Sequence, residues 1–312
     1  MKSITVSEVG PRDGLQSVAS QMPTSAKLAW IAREHSAGVR EIEVGSFVSP
    51  KLLPQMADTA EVVRGALELP GLTVAVLAPN QRGCEAAIAA GAHKISLPLS
   101  VSETHSLKNL RRDHAAMLVE IQACLALVNA QPLDQRPHFE VGLSTAFGCS
   151  IEGPVRAQQV FDLAHRVLDL GVVEIGLSDT TGMGNPAQLE TLVTGIWERM
   201  GTSVLTGVHL HNTRGQGLAN ALKAVELGIT TIDSSLGGLG GCPFAPGASG
   251  NIVTEDLVFL LESMGYSTGI DLEALLQVRH EVAALLPEEN WYGFAAGAGL
   301  PKGWQPLAAA GA

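Results

Sequence analysis

Residues 72–97, LTVAVLAPNQRGCEAAIAAGAHKISL, contain two short apolar runs separated by an alanine-rich segment. The runs at 72–77 and 93–97 have the length and composition of buried β-strands, whereas residues 81–90 have apolar side chains at helical spacing. Gly91 follows this segment directly, where glycine commonly ends a helix. The stretch therefore predicts one strand–helix–strand unit of a parallel sheet.

The same pattern recurs along most of the chain. Candidate strands lie at 4–9, 41–44, 72–77, 93–97, 139–143, 173–177, 204–210 and 230–235. Helical stretches lie at 25–37, 58–67, 81–90, 106–130, 154–170, 186–200 and 216–227, with further helices over about 251–284. Eight such units predict an α/β protein, a (β/α)8 TIM barrel with additional C-terminal helices. A doubly wound open sheet is disfavoured because no GxGxxG follows the first strand.

The length and composition of the chain agree with one large barrel. Its 312 residues are 46% apolar and include no apolar run long enough to span a bilayer, so a membrane protein is not expected. Barrels of about 250 residues or more form single domains. We expect residues 1–285 to form the barrel domain and 286–312 to form a tail packed on the barrel or on a partner subunit. The tail carries aromatic residues that favour such packing: Trp291, Tyr292, Phe294 and Trp304.

Charge and cysteine content restrict the partners and the compartment. The net charge of −11 repels polyanions, so nucleic acid is not an expected partner. The cysteines show no CxxC spacing, which is typical of reduced thiols in a cytosolic protein: Cys84, Cys124, Cys149 and Cys242. No targeting leader is recognisable in the first ten residues, and a cytoplasmic location is expected.

Two polar segments follow predicted strands at the end of the barrel where active sites form. The segment GPRDGLQ, residues 10–16, places Arg12 beside Asp13. In HLHNTRG, residues 209–215, His209 and His211 occupy alternate positions, which in a strand point to the same face. Two imidazoles and a carboxylate suit a divalent ion that acts as a Lewis acid. These ligand types alone do not distinguish Mg, Mn, Zn and Fe.

A glycine-rich segment, GGLGGCPFAPGASGN, follows the eighth predicted strand at residues 237–251. So much glycine permits unusual backbone conformations and allows a loop to open and close over a ligand. Cys242 lies within it, and a thiol on such a loop could exchange a proton with a substrate. We therefore include Cys242 among the candidate catalytic residues.

Five ordered motifs carry a resemblance to a known family. They are VGPRDGLQ at 9–16, SFVSPK with PQM at 46–56, SDTTGMG at 178–184, HLHNTRGQGLAN at 209–220 and GGLGGCPFAPGASGN at 237–251. Together they resemble the 3-hydroxy-3-methylglutaryl-CoA (HMG-CoA) lyase family of metal-dependent barrel lyases, over nearly the whole chain up to about residue 285. The resemblance implies an acyl-CoA substrate, HMG-CoA, that is cleaved to acetyl-CoA and acetoacetate, a reaction of leucine degradation. We also expect a homodimer or higher homo-oligomer.

The resemblance also implies roles for individual residues. The ligands of a Mg or Mn ion would be Asp13, His209, His211 and Asn251. Arg12 would face the thioester carbonyl, and Glu43 would hold that arginine. Proton movement would involve Cys242 and Asp179, with His209 as a further relay. The chemistry agrees with these roles, since a permanently charged arginine stabilises an enolate oxygen and a metal lowers the pKa of a bound alcohol.

Three departures from the family pattern concern the substrate. Residues 211–215 read HNTRG in place of HDTYG or HDTFG, residues 235–239 read SLGGL in place of SVAGLGG, and the segment 100–112 also differs. A sister lyase for another 3-hydroxy-3-carboxy acyl-CoA, such as citramalyl-CoA, is therefore the main alternative. A Claisen synthase of the isopropylmalate type is disfavoured by Cys242 and GASGN, where that branch has a GERAGN-like string. A non-catalytic CoA-binding or scaffold protein would not need the full set of candidate residues.

Overall fold

Eight parallel strands form a closed barrel in the computed structural model, which describes residues 2–240 and 250–306. The strands are β1 (Thr5–Glu8), β2 (Glu41–Ser46), β3 (Thr73–Leu77), β4 (Lys94–Ser100), β5 (His138–Ser144), β6 (Glu174–Ser178), β7 (Gly207–His209) and β8 (Thr231–Ser234). Each strand pairs with its neighbours in chain order, and β8 pairs with β1. The predicted (β/α)8 barrel is confirmed.

Helices surround the barrel and extend beyond its last strand. They are α1 (Thr24–Ser36), α2 (Thr59–Ala66), α3 (Gln81–Ala90), α4 (Glu103–Leu110), α5 (His114–Asn129), α6 (Ala157–Leu168), α7 (Pro186–Met200), α8 (Gly217–Leu227), α9 (Thr254–Ser263), α10 (Leu272–Leu285) and α11 (Phe294–Ala298). Short 3-10 turns occur at Pro54–Met56, Thr202–Val204 and Leu236–Gly238. Within the described ranges, no helix combines the length and apolar character needed to cross a membrane.

The single helix predicted over 106–130 is wrong, because the structure has α4 and α5 there. Arg111 ends α4 in a left-handed conformation, with φ of 57°, and this conformation interrupts the helical hydrogen bonds. Asp113 then starts α5, where its side chain accepts a hydrogen bond from the backbone N–H of Ala116 at 2.8 Å. The seventh strand is also shorter than predicted, since Thr202–Val204 forms a 3-10 turn and β7 begins at Gly207.

The two faces of each strand have different chemistry. On β4, Ile95, Leu97 and Leu99 are fully buried against the helices, whereas Lys94 and Ser96 face the barrel interior and keep some exposure. On β5, β6 and β7, three glycines lie in register at one interior level: Gly142, Gly176 and Gly207. The main apolar core therefore lies between the barrel and its helices, and polar groups line the interior.

The described part of the C-terminal tail, up to residue 306, packs on the barrel's own helices. The guanidinium of Arg279 on α10 lies 5.9 Å from the centre of the Trp291 ring, and the Trp304 ring stacks on Phe259 of α9 at 5.7 Å. Phe294 is 80% exposed. The helix α10 ends at Leu285, beside the predicted boundary between barrel and tail, and the division into these two parts stays a prediction.

Candidate active site

The segment after β1 forms one turn of π-helix, Gly10–Gly14, at the carboxyl end of the barrel. The backbone N–H groups of Arg12 and Asp13 both donate to the carbonyl of Val9, at 3.1 and 2.7 Å. Pro11 suits the first turn because its ring fixes φ and it has no N–H to satisfy. This tight turn directs two adjacent charged side chains into the mouth of the barrel.

Arg12 is fixed between two carboxylates. Its Nε donates to Oε2 of Glu43 at 2.5 Å, and its Nη1 pairs with Oδ1 of Asp13. Burial opposes the charge on Arg12, but these carboxylates outweigh it and raise the pKa of the guanidinium. Burial of Asp13 is likewise outweighed by Arg12, and the pKa of Asp13 falls below its usual range. Burial raises the pKa of Glu43 to about 7, although Arg12 opposes this shift.

The two histidines of the HLHNTRG motif face each other. Nε2 of His209 lies 3.0 Å from Nε2 of His211, and Nδ1 of His209 lies 3.1 Å from Oδ2 of Asp233 on β8. Burial disfavours the charged form of both rings. In His209, Asp233 outweighs burial and raises the pKa, whereas burial and the neighbouring His209 lower the pKa of His211 to about 3. His211 is therefore a neutral imidazole, the form that binds metal ions.

Asn251 connects these two groups across the barrel mouth. A β-bridge aligns its backbone with that of His211. Its side-chain Nδ2 donates to Oδ2 of Asp13 at 2.7 Å and to the carbonyl of Leu239 at 3.3 Å. The fold thus brings together all four residues predicted to bind metal, although 238 positions separate Asp13 from Asn251.

The donor set fits a divalent ion. Asp13, His209 and His211 offer ligand atoms that all lie within 4.8 Å of one another. The 3.0 Å between the Nε2 atoms is the separation expected of adjacent ligands about 2.1 Å from a six-coordinate ion. Oδ1 of Asn251 and Nδ1 of His211 are buried without a hydrogen-bond partner among the described residues. Unpartnered buried polar atoms are rare, and the amide oxygen of Asn251 can serve as a fourth metal ligand.

Asp179 follows β6 and is bound mainly by its own loop. Its Oδ1 accepts from the backbone N–H of Met183 at 2.9 Å, and its Oδ2 accepts from that of Gly184 at 3.0 Å. Burial raises the pKa of Asp179, although these two hydrogen bonds oppose the shift. The carboxylate fixes the SDTTGMG turn, and its interaction with His209 is electrostatic.

The sequence matches the HMGL-like family model over residues 3–282. The chain belongs to the HMGL-like family. It is 40% identical to hydroxymethylglutaryl-CoA lyase YngG of Bacillus subtilis over 293 residues, which cover 93% of this chain and 96% of YngG. It is 41% identical to the mitochondrial hydroxymethylglutaryl-CoA lyase of Mus musculus over 276 residues, covering 88% and 83% of the two chains.

A solved structure of the same family gives a similar result. The HMG-CoA lyase from Acinetobacter baumannii, in complex with coenzyme A and 3-methylmalate, superposes with a TM-score of 0.89 at 40% identity. The match covers 98% of each chain. The resemblance predicted from the five sequence motifs is therefore confirmed.

One predicted residue of this HMGL-like protein cannot be placed. Cys242 belongs to residues 241–249, which lie outside the described residues. Its assignment as a proton donor stays a prediction from the sequence.

Asp233 is a site residue that the sequence analysis missed. It faces the barrel interior two positions after Thr231 on β8, and its carboxylate contacts Nδ1 of His209. A carboxylate in this position fixes the tautomer and orientation of a metal-binding histidine. The alternation within β8 could have indicated that Asp233 points inward, but only the register between β7 and β8 places it next to His209.

Proposed function

We propose that this HMGL-like protein cleaves HMG-CoA to acetyl-CoA and acetoacetate with Mg²⁺ or Mn²⁺ as its cofactor. The observation that carries the proposal is the contact between a buried arginine and a metal-ligand group at one barrel mouth, Arg12 beside Asp13. The sequence identity of about 40% to HMG-CoA lyases over most of the chain supports the same cleavage reaction.

We assign the metal ion to Asp13, His209, His211 and Asn251. The carboxylate and amide oxygens suit Mg²⁺ or Mn²⁺, whereas the imidazoles also suit Zn²⁺ and Fe²⁺. The choice of Mg²⁺ or Mn²⁺ therefore rests on the family resemblance. A divalent ion in this position supplies a Lewis acid that lowers the pKa of the substrate's tertiary alcohol. In the tautomer in which Nδ1–H of His209 donates a hydrogen bond to Asp233, the Nε2 lone pair is directed into the site.

Arg12 stabilises the charge that develops when the carbon–carbon bond breaks. The departing fragment is an enolate whose negative charge lies largely on the thioester oxygen. Glu43 and Asp13 occupy Nε and Nη1 of Arg12, so Nη2 is the guanidinium nitrogen left for that oxygen among the described contacts. A fixed cation needs no rearrangement during the reaction, and groups of this kind typically contribute about 10²- to 10³-fold to the rate.

The enolate carbon must then receive a proton to become the methyl group of acetyl-CoA. We assign this proton to the thiol of Cys242, because a thiol is a suitable acid near neutral pH. Asp179 and His209 are the candidate relays between the thiol, the alcohol proton and solvent.

Two departures from the family pattern are accounted for without the alternative substrate, citramalyl-CoA. Arg214, at the position of the family's aromatic residue, donates from Nη1 to the carbonyls of Thr181 and Gly182 at 2.8 and 3.0 Å. Asn212 accepts a hydrogen bond from the backbone N–H of Gly217 at 2.9 Å, at the start of α8. Both side chains stabilise loops of the protein itself, so their presence does not require a different acyl group.

The test is an assay of the purified protein with HMG-CoA, citramalyl-CoA and related 3-hydroxy-3-carboxy acyl-CoA thioesters. We expect release of acetyl-CoA from HMG-CoA with the largest kcat/KM, loss of activity after chelation, and recovery with Mg²⁺ or Mn²⁺. Preference for citramalyl-CoA would favour the sister lyase. Absence of cleavage of every thioester, or full activity after exhaustive chelation, would contradict the proposal.

We also propose a cytoplasmic location and a homodimeric or higher assembly. The described cysteines Cys84, Cys124 and Cys149 are free thiols, which supports a reducing compartment. The exposed Phe294 in the tail is a candidate for contact with a second copy. Light scattering during gel filtration will give the mass, and a monomeric mass at micromolar concentration would contradict the assembly.

A further inference from the structure

Glu8, the last residue of β1, lies outside the barrel interior beneath three segments that lead to the active site. We propose that Glu8 is a positioning residue that sets the relative placement of these segments and thereby the metal affinity of the site. The inference rests on the proposed metal site. Glu8 is itself neither a proposed metal ligand nor a proposed catalytic residue.

One carboxylate oxygen of Glu8 joins the first two segments. Oε1 accepts hydrogen bonds from the backbone N–H of Gly10 at 2.7 Å and from that of Leu236 at 2.9 Å. Gly10 begins the π-helical turn that carries Arg12, and Leu236 begins the 3-10 turn that follows β8. These two turns are far apart in the sequence. Their shared hydrogen-bond acceptor fixes the position of one turn relative to the other.

The second oxygen holds the third segment. Oε2 accepts a hydrogen bond from Oγ1 of Thr254 at 2.6 Å, and this hydroxyl also lies 2.9 Å from Oγ of Ser234 on β8. Thr254 starts α9 and lies three residues after the predicted ligand Asn251. Glu8 therefore links the segments that carry Asp13 and Asn251, whose side chains meet in the metal-ligand group.

The local packing leaves little freedom in this arrangement. Glu8 is fully buried, and a Cβ on Gly10 would lie 2.6 Å from Oε1 of Glu8 and 2.9 Å from the Trp30 ring. The backbone can approach the carboxylate only because residue 10 is glycine. Without an acceptor at position 8, two backbone N–H groups would be buried and unpaired, and the turns would shift to reach other acceptors. Displacements of about 1 Å can reduce turnover by about 10²-fold.

Glutamine at position 8 would preserve most of these contacts. Its carbonyl oxygen can accept from Gly10 and Leu236, and its amide can donate to the hydroxyl of Thr254, which can then donate to Ser234. Burial raises the pKa of Glu8 to about 7, so a neutral side chain is compatible with the surroundings. We therefore assign Glu8 the role of accepting hydrogen bonds at fixed positions, and Glu8→Gln keeps these acceptor contacts while it removes the charge.

Glu34 on α1 provides a matched control. It is fully buried near Glu8, and the charge of Glu8 contributes to the rise in its pKa after burial. Neither of its oxygens accepts a hydrogen bond from an active-site segment within the described ranges. Replacing Glu34 removes a buried carboxylate from the same region without releasing an active-site loop.

The experiment compares Glu8→Met, Glu8→Gln and Glu34→Met in the 312-residue chain. The readouts are Mn²⁺ dissociation constants from electron paramagnetic resonance titration, kcat and KM for HMG-CoA, and Tm. For Glu8→Met we expect Mn²⁺ affinity to fall by about 10-fold and kcat by about 10²-fold. Glu8→Gln should stay within about threefold of the wild-type protein in both quantities, and Glu34→Met should bind Mn²⁺ and turn over like the wild type.

Wild-type kcat and Mn²⁺ affinity in Glu8→Met, with only Tm lowered, would overturn the positioning role. Equal losses in Glu34→Met and Glu8→Met would also overturn it, because a general packing effect would then be sufficient. If Glu8→Met does not fold, Thr254→Val removes the third hydrogen bond of Glu8 together with the hydroxyl contact to Ser234, and we expect about threefold weaker Mn²⁺ binding. Unchanged binding in Thr254→Val would overturn the inference. Failure of the wild-type protein to bind Mn²⁺ would instead contradict the proposed metal site.

Discussion

The interior of the barrel contains a potential metal-ligand group at each end, and the two differ in how their atoms are occupied. The carboxyl end has Asp13, His209 and His211, and the amino end has His138, Glu140 and Glu174. In both groups the ligand atoms lie within 4.8 Å of one another. Proximity of ligands alone would therefore predict two metal sites.

At the amino end, the charged groups satisfy one another. Nε2 of His138 lies 2.8 Å from Oε2 of Glu174, and Nζ of Lys94 lies 3.1 Å from carboxylate oxygens of both Glu140 and Glu41. Burial opposes the charge of Lys94, but Glu140 and Glu41 outweigh it and raise the pKa of the ammonium. The lysine supplies the positive charge that a metal ion would otherwise bring.

At the carboxyl end, the cation Arg12 does not engage all of the potential ligand atoms. Arg12 pairs with Asp13 and Glu43 but not with the imidazoles, and the buried Oδ1 of Asn251 has no partner among the described residues. Short distances therefore do not distinguish the two groups, whereas the partners of their atoms do, and the proposed metal site is the group beside an oxygen that is buried and unpartnered in the described part of the chain. Four predictions test this difference between the two ends.

Arg12→Met should have the largest effect. We expect kcat to fall by about 10³-fold while the Mn²⁺ dissociation constant changes little, because the cation acts on the charge of the transition state. Steady-state kinetics with HMG-CoA and a parallel Mn²⁺ titration will measure this. A higher KM with an intact kcat would show that Arg12 only binds substrate.

His211→Ala should weaken Mn²⁺ binding by about 10²-fold, because it removes one ligand from the ion. The matched variant at the amino end is His138→Ala, for which we expect the wild-type dissociation constant. Electron paramagnetic resonance titration of both proteins gives the comparison. Equal losses in the two variants would mean that the amino end binds the metal as well.

Lys94→Met should lower the free energy of unfolding by about 2 kcal/mol. The substitution leaves Glu41 and Glu140 close together in the barrel interior without their cation, although partial exposure of the pair reduces the penalty. Urea denaturation will measure the change, and kcat per folded molecule should be unaffected. Stability equal to that of the wild-type protein would show that the ion pairs at this end contribute nothing.

The smallest effect concerns the pH dependence of His138. Its hydrogen bond to Glu174 raises the pKa of His138 above that of a free imidazole, although burial opposes the shift. A raised pKa in the folded state stabilises the protein below the ordinary pKa, and this contribution disappears as pH rises through the raised value. The Tm difference between wild type and His138→Gln should therefore be largest near about pH 5.5 and vanish near about pH 9. A difference independent of pH would exclude this linkage.

Most of the fold could be predicted from local patterns. Short apolar runs located all eight strands, and glycines such as Gly91 and Gly228 marked helix ends because they adopt left-handed conformations there. The break between α4 and α5 was missed, because apolar spacing continues across it. Asp113 before an apolar run was an available signal, since aspartate is a common N-cap.

Residue chemistry and local spacing predicted those parts of the candidate site whose residues lie close together in the sequence. Arg12 and Asp13 are adjacent, and His209 and His211 are separated by one residue, so local geometry already places each pair together. Asn251 and Glu43 were assigned through the family resemblance. Asp233 and Glu8 were missed because neither lies in a segment whose local pattern indicates chemistry.

The order of strands and helices and the residue types at the strand ends can be predicted from the amino-acid sequence alone, because they depend on periodicity and on neighbours in the chain. Which groups share a hydrogen bond depends on contacts between distant segments and could be seen only in the folded protein. Closure of the barrel places β8 beside β1, and the segment after β8 brings Asn251 to Asp13, 238 positions before it. The fold also determines which of the two ligand groups, at the carboxyl or the amino end of the barrel, keeps ligand atoms without a partner in the described ranges. The availability of a lone pair depends on side chains from other strands.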